Sequence, residues 1–388
     1  MSVRKREWAS KNGARSAWIL TYFDRDNVKR QETFDRERDA KAREAEVAVN
    51  IRRGVHIARG ASKTVALWIE DCKLEGLERT TVKQYRSHID LHLVPLLVGD
   101  DDVRAVKLGG VLLADLTTPF VEQVRTALLR KLSRAMAKKA LVSFKALIAY
   151  AQTKGLVAQN AALPVSIRID SRNARKLEVG VDIPTREEIS ALITHAGALR
   201  PMLVAAAFSG LRVSELRGLR WSDVDFKGGR VSVRQRVDRY NEVGRPKTES
   251  SERTLPIGPV VINTLREWKL KCPKGAADFV FPNKDGEAFP YQTARRHLDL
   301  AQVAAGLAPS VDEPKYGWHA LRYFYASLLI NRRVDGGLEY PLKVVSEYLG
   351  HTSIKMTADV YGHLFPSRDD GLALAAAEQA VLGLHTTE

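Results

Sequence analysis

At 388 residues and 45% apolar content the chain exceeds one ordinary hydrophobic core and is too apolar for a disordered tail, so two or three folded domains are expected. Its net charge of +15 favours a polyanionic partner such as nucleic acid; the first 175 residues carry +13 of it, which suggests basic gripping modules on a more nearly neutral body. Cys72 and Cys272 have no spacing for a disulfide framework or a zinc site, and no stretch nears the roughly 18 apolar residues of a membrane span, so a cytoplasmic protein with no metal and no membrane contact is expected.

Residues 16–23 are rich in aromatic and β-favouring side chains, with Asn12-Gly13 before them and Asp26-Asn27 after. That pattern predicts a three-stranded sheet, followed by a charged helix capped by Asp35 and running to about Arg53. The module, residues 1–60, barely supports itself and would gain from a partner. Residues 61–165 turn helical, with apolar spacing of three and four over Thr64–Leu74, Thr81–Leu97, Pro119–Lys131 and Ser133–Lys154. The run Arg130, Lys131, Arg134, Lys138 and Lys139 is either an ordinary solvated face or a phosphate-backbone contact, and the regional charge favours the latter. Residues 166–183 are polar and aperiodic and read as a linker, whose Arg172 and Arg175 would lie near a nucleic acid held from both sides.

From residue 184 the pattern changes again. Thr185 with Glu188 forms a helix-start signature, and an apolar helix then ends in Ser209-Gly210-Leu211-Arg212-Val213-Ser214-Glu215-Leu216. Glu215, three residues after Arg212, is either a local ion partner or a support that holds the guanidinium in a cleft. Further on come Trp318-His319-Ala320-Leu321-Arg322, then Leu349-Gly350-His351, then Tyr361-Gly362-His363. His319 and Arg322 at i and i+3 share one helical face, and an imidazole beside a fixed cation suits a phosphate oxygen that gains charge. Taken singly, each motif is a common accident of sequence. Their order gives them weight.

The run Ser-Gly-Leu-Arg-Val-Ser-Glu-Leu, continued by Leu219-Arg220-Trp221-Ser222-Asp223-Val224-Asp225, resembles the first arginine box of the tyrosine recombinases, the phage-integrase family. His-Ala-Leu-Arg, Leu-Gly-His and Tyr-Gly-His resemble that family's second box, second histidine and nucleophile. Between them Val231–Val237 and Glu252–Ile257 alternate as a strand pair around Pro246-Lys247-Thr248, similar to the hairpin that carries the family's lysine. The resemblance covers about 180 residues and six ordered positions: Arg212, Lys247, His319, Arg322, His351 and Tyr361. More loosely, the helical span is similar to the family's core-binding domain and the N-terminal sheet to its arm-site-binding domains. The departures are Tyr323 where many members have histidine, Ser209 where threonine is common, and a longer Asn331–Pro341 segment.

The implied fold is multidomain and mainly α with small β-sheets: a sheet-plus-helix module, a helical core-binding domain and a mixed α+β catalytic domain over 184–388. The implied reaction breaks and rejoins DNA without metal or other cofactor. Tyr361 would attack phosphorus, Arg212 and Arg322 would fork the non-bridging oxygens, Lys247 would protonate the leaving 5′-oxygen, and His319 and His351 would assist. Lys227 and Lys284 are rivals to Lys247 outside the strand pair; Tyr316, Tyr323, Tyr325, Tyr340 and Tyr348 are rivals to Tyr361, and His363 reads as a surface residue. The resemblance implies an integrase of a phage or mobile element. It would act as a homotetramer on double-stranded DNA, with accessory DNA-bending or directionality proteins, at the nucleoid of a bacterial host. A type IB topoisomerase and a non-catalytic DNA-binding regulator are the competing readings. An apolar stretch within Gly371–Leu384 would close the protein's own core or dock onto a neighbouring subunit.

Overall fold

The computed structural model describes residues 1–10, 13–23, 29–52, 61–99, 105–111, 113–168, 175–246, 248–365 and 379. The chain divides into two compact units, residues 1–173 and 174–388.

In the first unit β1 (Ser2–Ser10), β2 (Gly13–Phe23) and β3 (Lys29–Phe34) form an antiparallel sheet in that order, with Val3 opposite Leu20 and Leu20 opposite Glu32. Alternation sorts its faces. Leu20 and Tyr22 pack with Val47 of α1 (Glu37–Arg52), while Lys29, Gln31 and Thr33 of β3 are exposed on the other side. Arg36, not Asp35, stands at the cap of α1, because the Ala40 amide donates to the Arg36 carbonyl at 3.3 Å. Arg43 ties this layer to the helices that follow, reaching Glu32 at 3.0 Å and Asp115 at 3.3 Å.

The helical part comprises α2 (Ala61–Leu74), α3 (Arg79–His88) with a π turn at Ile89–Leu93, a two-stranded β4 (Leu97–Val98) and β5 (Val106–Lys107), α4 (Thr118–Lys131) and α5 (Arg134–Thr153). Side-chain oxygens of Thr117 and Ser133 accept from the amides of Phe120 and Met136, so both long helices start where the sequence offers a cap. Leu128, Phe144, Leu147 and Ile148 fill the core, the Trp68 and Tyr85 rings stack at 4.8 Å, and His88 Nδ1 lies 2.8 Å from Ser143 Oγ.

In the second unit α6 (Arg186–Thr194) opens on the capping box of Thr185 and Glu188, and α7 (Arg200–Ser209) leads through Gly210 into α8 (Val213–Gly218). A sheet of β6 (Val224–Asp225), β7 (Arg230–Val233) and β10 (Arg253–Pro256) follows in the order β10-β7-β6, with Leu255 opposite Val231. The strand expected over Val231–Val237 is in fact two. At Arg234-Gln235 the chain leaves β7 to start β8 (Arg236–Val237), which pairs with β9 (Val243–Gly244) as a separate hairpin. Gln235 turns its amide onto the Gly218 carbonyl at 2.8 Å. The fully buried Arg217 meets the Phe289, Val237 and Asp238 carbonyls and the Asn241 side chain, a set of contacts no alternating pattern reports.

Then come α9 (Pro259–Lys271), α10 (Tyr291–Ala304), α11 (Trp318–Ile330), α12 (Leu342–Leu349) and α13 (Ile354–Tyr361). Helix α11 packs on α7, with Phe324 edge-on to Phe208 at 6.3 Å. The longer Asn331–Pro341 segment folds back on α11. Its Leu338, Glu339 and Tyr340 amides donate to the Leu328, Asn331 and Leu329 carbonyls at 2.8–3.0 Å, which satisfies the open end of the helix. The Gly371–Leu384 stretch, Gln379 apart, lies outside the described residues.

Candidate active site

Two left-handed glycines organise the site. Gly210 ends α7 at φ +62° and Gly350 ends α12 at φ +61°, a conformation that favours glycine. A Cβ at Gly210 would fall 2.2 Å from the Tyr325 ring, and one at Gly350 would fall 2.8 Å from an Arg253 nitrogen, so both positions also lack room for a side chain. Each turn aims a carbonyl at a guanidinium. Arg322 donates through Nη1 to Gly210 at 2.8 Å and through Nη2 to Leu349, while Arg212 Nη2 donates to Gly350 at 3.2 Å. The two arginines, 110 residues apart in the chain, are thereby fixed on neighbouring carbonyls. These bonds engage two of the five N–H donors of Arg322 and leave donors for an anion.

Glu215 holds the arginines together. Its Oε2 accepts the Arg212 amide at 2.9 Å and Arg253 Nη2 at 3.0 Å, and its Oε1 accepts Arg212 Nη1 at 2.6 Å. Burial pushes the 3%-exposed carboxyl up, but the charge and hydrogen bonds of Arg253, with the charges of Arg212 and Arg322, outweigh it and hold the group at about 2. Arg322 is itself brought down to about 9 by burial and by Arg212, so it stays charged at neutral pH.

Arg253 was not singled out in the sequence, where a lone arginine opening a strand carries no mark. In the fold its side chain, 7% exposed, also donates to the Tyr348 carbonyl at 2.8 Å and to the Ser251 carbonyl at 3.0 Å. It therefore links the first arginine box, the turn before His351 and the end of the segment that follows Lys247. Lys247 itself lies outside the described residues. Immediately after it, Thr248 bonds the Ser250 and Ser251 hydroxyls at 3.0 and 2.9 Å.

Four rings run through the pocket. His319 meets Tyr323 edge-on at 6.1 Å, Tyr323 meets Tyr361 edge-on at 6.0 Å, and His351 lies parallel to Tyr361 at 6.2 Å. Tyr323, a rival to Tyr361 in the sequence, thus sits between the first histidine and Tyr361. Tyr361 is 1% exposed, among Tyr325, Leu329, Val345 and Leu349. Burial raises its phenol to about 12 against the opposing pull of Arg322. His351 is brought down to about 4 by burial and by the charges of Arg322, Arg212 and Arg253; His319 is lowered by the same kinds of cause.

Of the rival tyrosines, Tyr316 donates to Glu188 at 2.7 Å, Tyr325 is core, and Tyr340 packs edge-on against Tyr348 at 6.0 Å. His363 is not a plain surface residue. It is half-buried, with Nε2 2.8 Å from the Leu177 carbonyl, and so fastens the chain beyond Tyr361 to the segment that enters this unit. In the first unit Arg130, Lys131, Arg134, Lys138 and Lys139 are all exposed around the α4–α5 turn. Arg175 pairs with Asp182 at 3.1 Å, and Arg172 lies outside the described residues. Among the described residues no cluster of His, Cys, Asp and Glu could hold a metal ion.

Two outcomes follow from this electrostatic arrangement. Replacing Arg253 with Met leaves a buried carboxylate short of a partner and will lower stability by about 3–5 kcal/mol in urea unfolding. In an NMR titration of the free protein, His351 will titrate near pH 4 rather than the ordinary 6.5. The unfolded chain takes up a proton on His351 between those two values that the folded chain refuses. Stability therefore falls as pH drops through that window, and His351→Gln will flatten the fall.

Residues 185–368 match the model of the phage integrase family. The chain is 31% identical over 258 residues to a XerC-like tyrosine recombinase of Caldanaerobacter subterraneus subsp. tengcongensis, an alignment that covers 59% of this chain and 63% of that relative. Its fold is similar to the Tn1549 transposon integrase in complex with transposon right end DNA, with TM-score 0.59, 18% identity, and 82% of this chain and 99% of that one covered. It is also similar to a lambda integrase dimer bound to a COC′ core site, with TM-score 0.55, 18% identity, and 94% and 97% covered. The similarity to the phage integrase family, that of the tyrosine recombinases, thus rests on residues 185–368.

Proposed function

We propose that this chain is a site-specific DNA recombinase, an integrase of a phage or other mobile element, which cuts and rejoins DNA through a 3′-phosphotyrosine intermediate. The observation that carries the reading is the convergence described above: Arg322 reaches carbonyls on both glycine turns, Arg212 reaches the second turn, and Tyr361 packs beside them. The Tyr361 oxygen attacks phosphorus, the bond to the 5′-oxygen breaks, and that oxygen takes a proton from Lys247. The ester preserves the bond energy, so a 5′-hydroxyl reverses the step without a nucleotide cofactor.

Magnitudes favour a binding-driven activation. With the ring in its pocket a phenol at about 12 is ionised in about one molecule in 10⁵ at pH 7, so the resting tyrosine is a weak nucleophile and charge placed on the phosphate would contribute to the acceleration. Arg212 and Arg322 supply it, each clamp being worth about 10²–10³ in rate. His351 and His319, held neutral, add hydrogen bonds or move the tyrosine proton. Exchange between two duplexes needs four cleavages, which four copies of one chain provide. Accessory DNA-bending or directionality proteins and a nucleoid location in a bacterial host belong to the same reading.

The first unit is proposed to grip DNA in two places. Residues 61–165 would hold the core site through Arg130, Lys131, Arg134, Lys138 and Lys139, with Arg172 and Arg175 as further DNA contacts. Residues 1–60 would read arm sites with the sheet face opposite α1, where Arg4, Arg6, Lys29, Gln31 and Thr33 are exposed.

On a nicked suicide substrate the wild-type protein will become covalently attached at a 3′-phosphate and Tyr361→Phe will not; equal attachment by both would remove the nucleophile assignment. Replacing Arg4, Arg6 and Lys29 together with Ala will flatten the slope of log affinity against log salt on arm-site DNA by roughly two to three. An unchanged slope would mean that this face does not meet phosphate.

A further inference from the structure

His351 Nδ1 lies 2.7 Å from Thr357 Oγ1, and Thr357 is fully buried at 0% exposed. Thr357 stands one helical turn before Tyr361 on α13, and the two share its buried face. The His351 amide is held by the Ser346 carbonyl at 3.1 Å, and its ring lies parallel to Tyr361. The pair could be joined in two ways. Either the imidazole donates from Nδ1 and leaves a lone pair on Nε2, or the hydroxyl donates to Nδ1 and the proton sits on Nε2.

The surroundings decide between them. In the first arrangement the buried hydroxyl hydrogen needs another acceptor, and among the described residues Thr357 has none. A buried donor left without a partner costs about 1–3 kcal/mol. The second arrangement satisfies both groups. It also leaves an N–H on a ring that lies within reach of the charges of Arg322, Arg212 and Arg253, where a bound anion would gain from a further donor.

We infer that Thr357 is a positioning residue, whose hydroxyl fixes His351 as the Nε2–H tautomer and so makes it a hydrogen-bond donor to the phosphate rather than the base that deprotonates the tyrosine. This assignment rests on the recombinase reading for the identity of the anion, but not for the tautomer. Because Thr357 and Tyr361 ride on the same turn of helix, one element sets both the donor and the nucleophile.

The test reads the two parts separately. In the free full-length protein labelled with ¹⁵N-histidine, His351 will show a protonated Nε2 and a bare, hydrogen-bonded Nδ1; a protonated Nδ1 overturns the inference. Thr357→Val, which keeps the shape and removes the hydroxyl, will move the Nδ1 resonance and slow covalent attachment on the suicide substrate about 10-fold. Thr357→Ser will restore both. If the Val variant leaves the Nδ1 resonance and the attachment rate unchanged, Thr357 has no positioning role. If wild-type protein never attaches to DNA while the resonances behave as stated, the recombinase reading fails and the tautomer assignment stands.

Discussion

Like charges packed into a protein interior repel, and the second unit of this chain packs three arginines against one another. The interaction that makes this possible is the buried carboxylate of Glu215. It accepts from Arg212 and Arg253 and lies close enough to Arg322 to feel its charge. Removing a carboxylate from water is costly, and here its pull toward neutrality is reversed because guanidinium groups surround it. The balance is not complete. One anion among three cations leaves the pocket positive, so a phosphate entering it meets an attraction that the protein's own groups do not cancel. The same excess of charge, with burial, keeps both His351 and His319 uncharged at neutral pH.

The glycine turns explain why short motifs in this chain carry so much information. Ser-Gly-Leu-Arg and Leu-Gly-His each mark a helix that must stop in a left-handed turn and present a carbonyl at its end. In each case the carbonyl is a seat for an arginine from elsewhere in the chain. A residue with a side chain at either position would strain the backbone and strike Tyr325 or Arg253. What is written locally as a helix stop is thus spatially a support for the guanidinium pair. This is why the ordered motifs at Arg212, Arg322, His351 and Tyr361 read as one site in the sequence.

Other parts were legible only in outline, for physical reasons. Helices with caps, such as those opening at Thr117, Ser133 and Thr185, announce themselves because cap, spacing and first-turn residues agree. Strands two to four residues long do not, since alternation over so few positions is hard to tell from chance, and the break at Arg234-Gln235 depends on a contact with Gly218 far back in the chain. Arg253 and Thr357 carry no mark in the sequence, and His363 reads there as a surface residue, for a related reason. Each acts through one long-range or one-turn contact on another group, and nothing in composition or spacing separates such an arginine, threonine or histidine from a surface one. Arg217 is the extreme case: a charged residue in a short helix that no sequence pattern marks, yet it is buried and bonded to three carbonyls.

The placement of Tyr361 completes the argument. An eight-residue helix has little stability of its own, and α13 is held by what it buries. Those anchors are the two side chains of its inner face, Thr357 against His351 and Tyr361 against Leu329, Val345 and Leu349, together with the bond from His363 to Leu177 just beyond its end. A phenol that is 1% exposed has no room beside it for a phosphodiester, so the attack proposed for it would require the ring to leave its pocket. Leaving gives up local packing rather than the core shared by α7, α11 and the sheet, and it removes the burial that pushes the phenol up. The opposing influence of Arg322 and Arg212 remains, because both are fixed by carbonyls outside α13. On that proposal the part of the site that stays in place is the cations on the glycine turns, and the part that would move is one short helix carrying the proposed nucleophile.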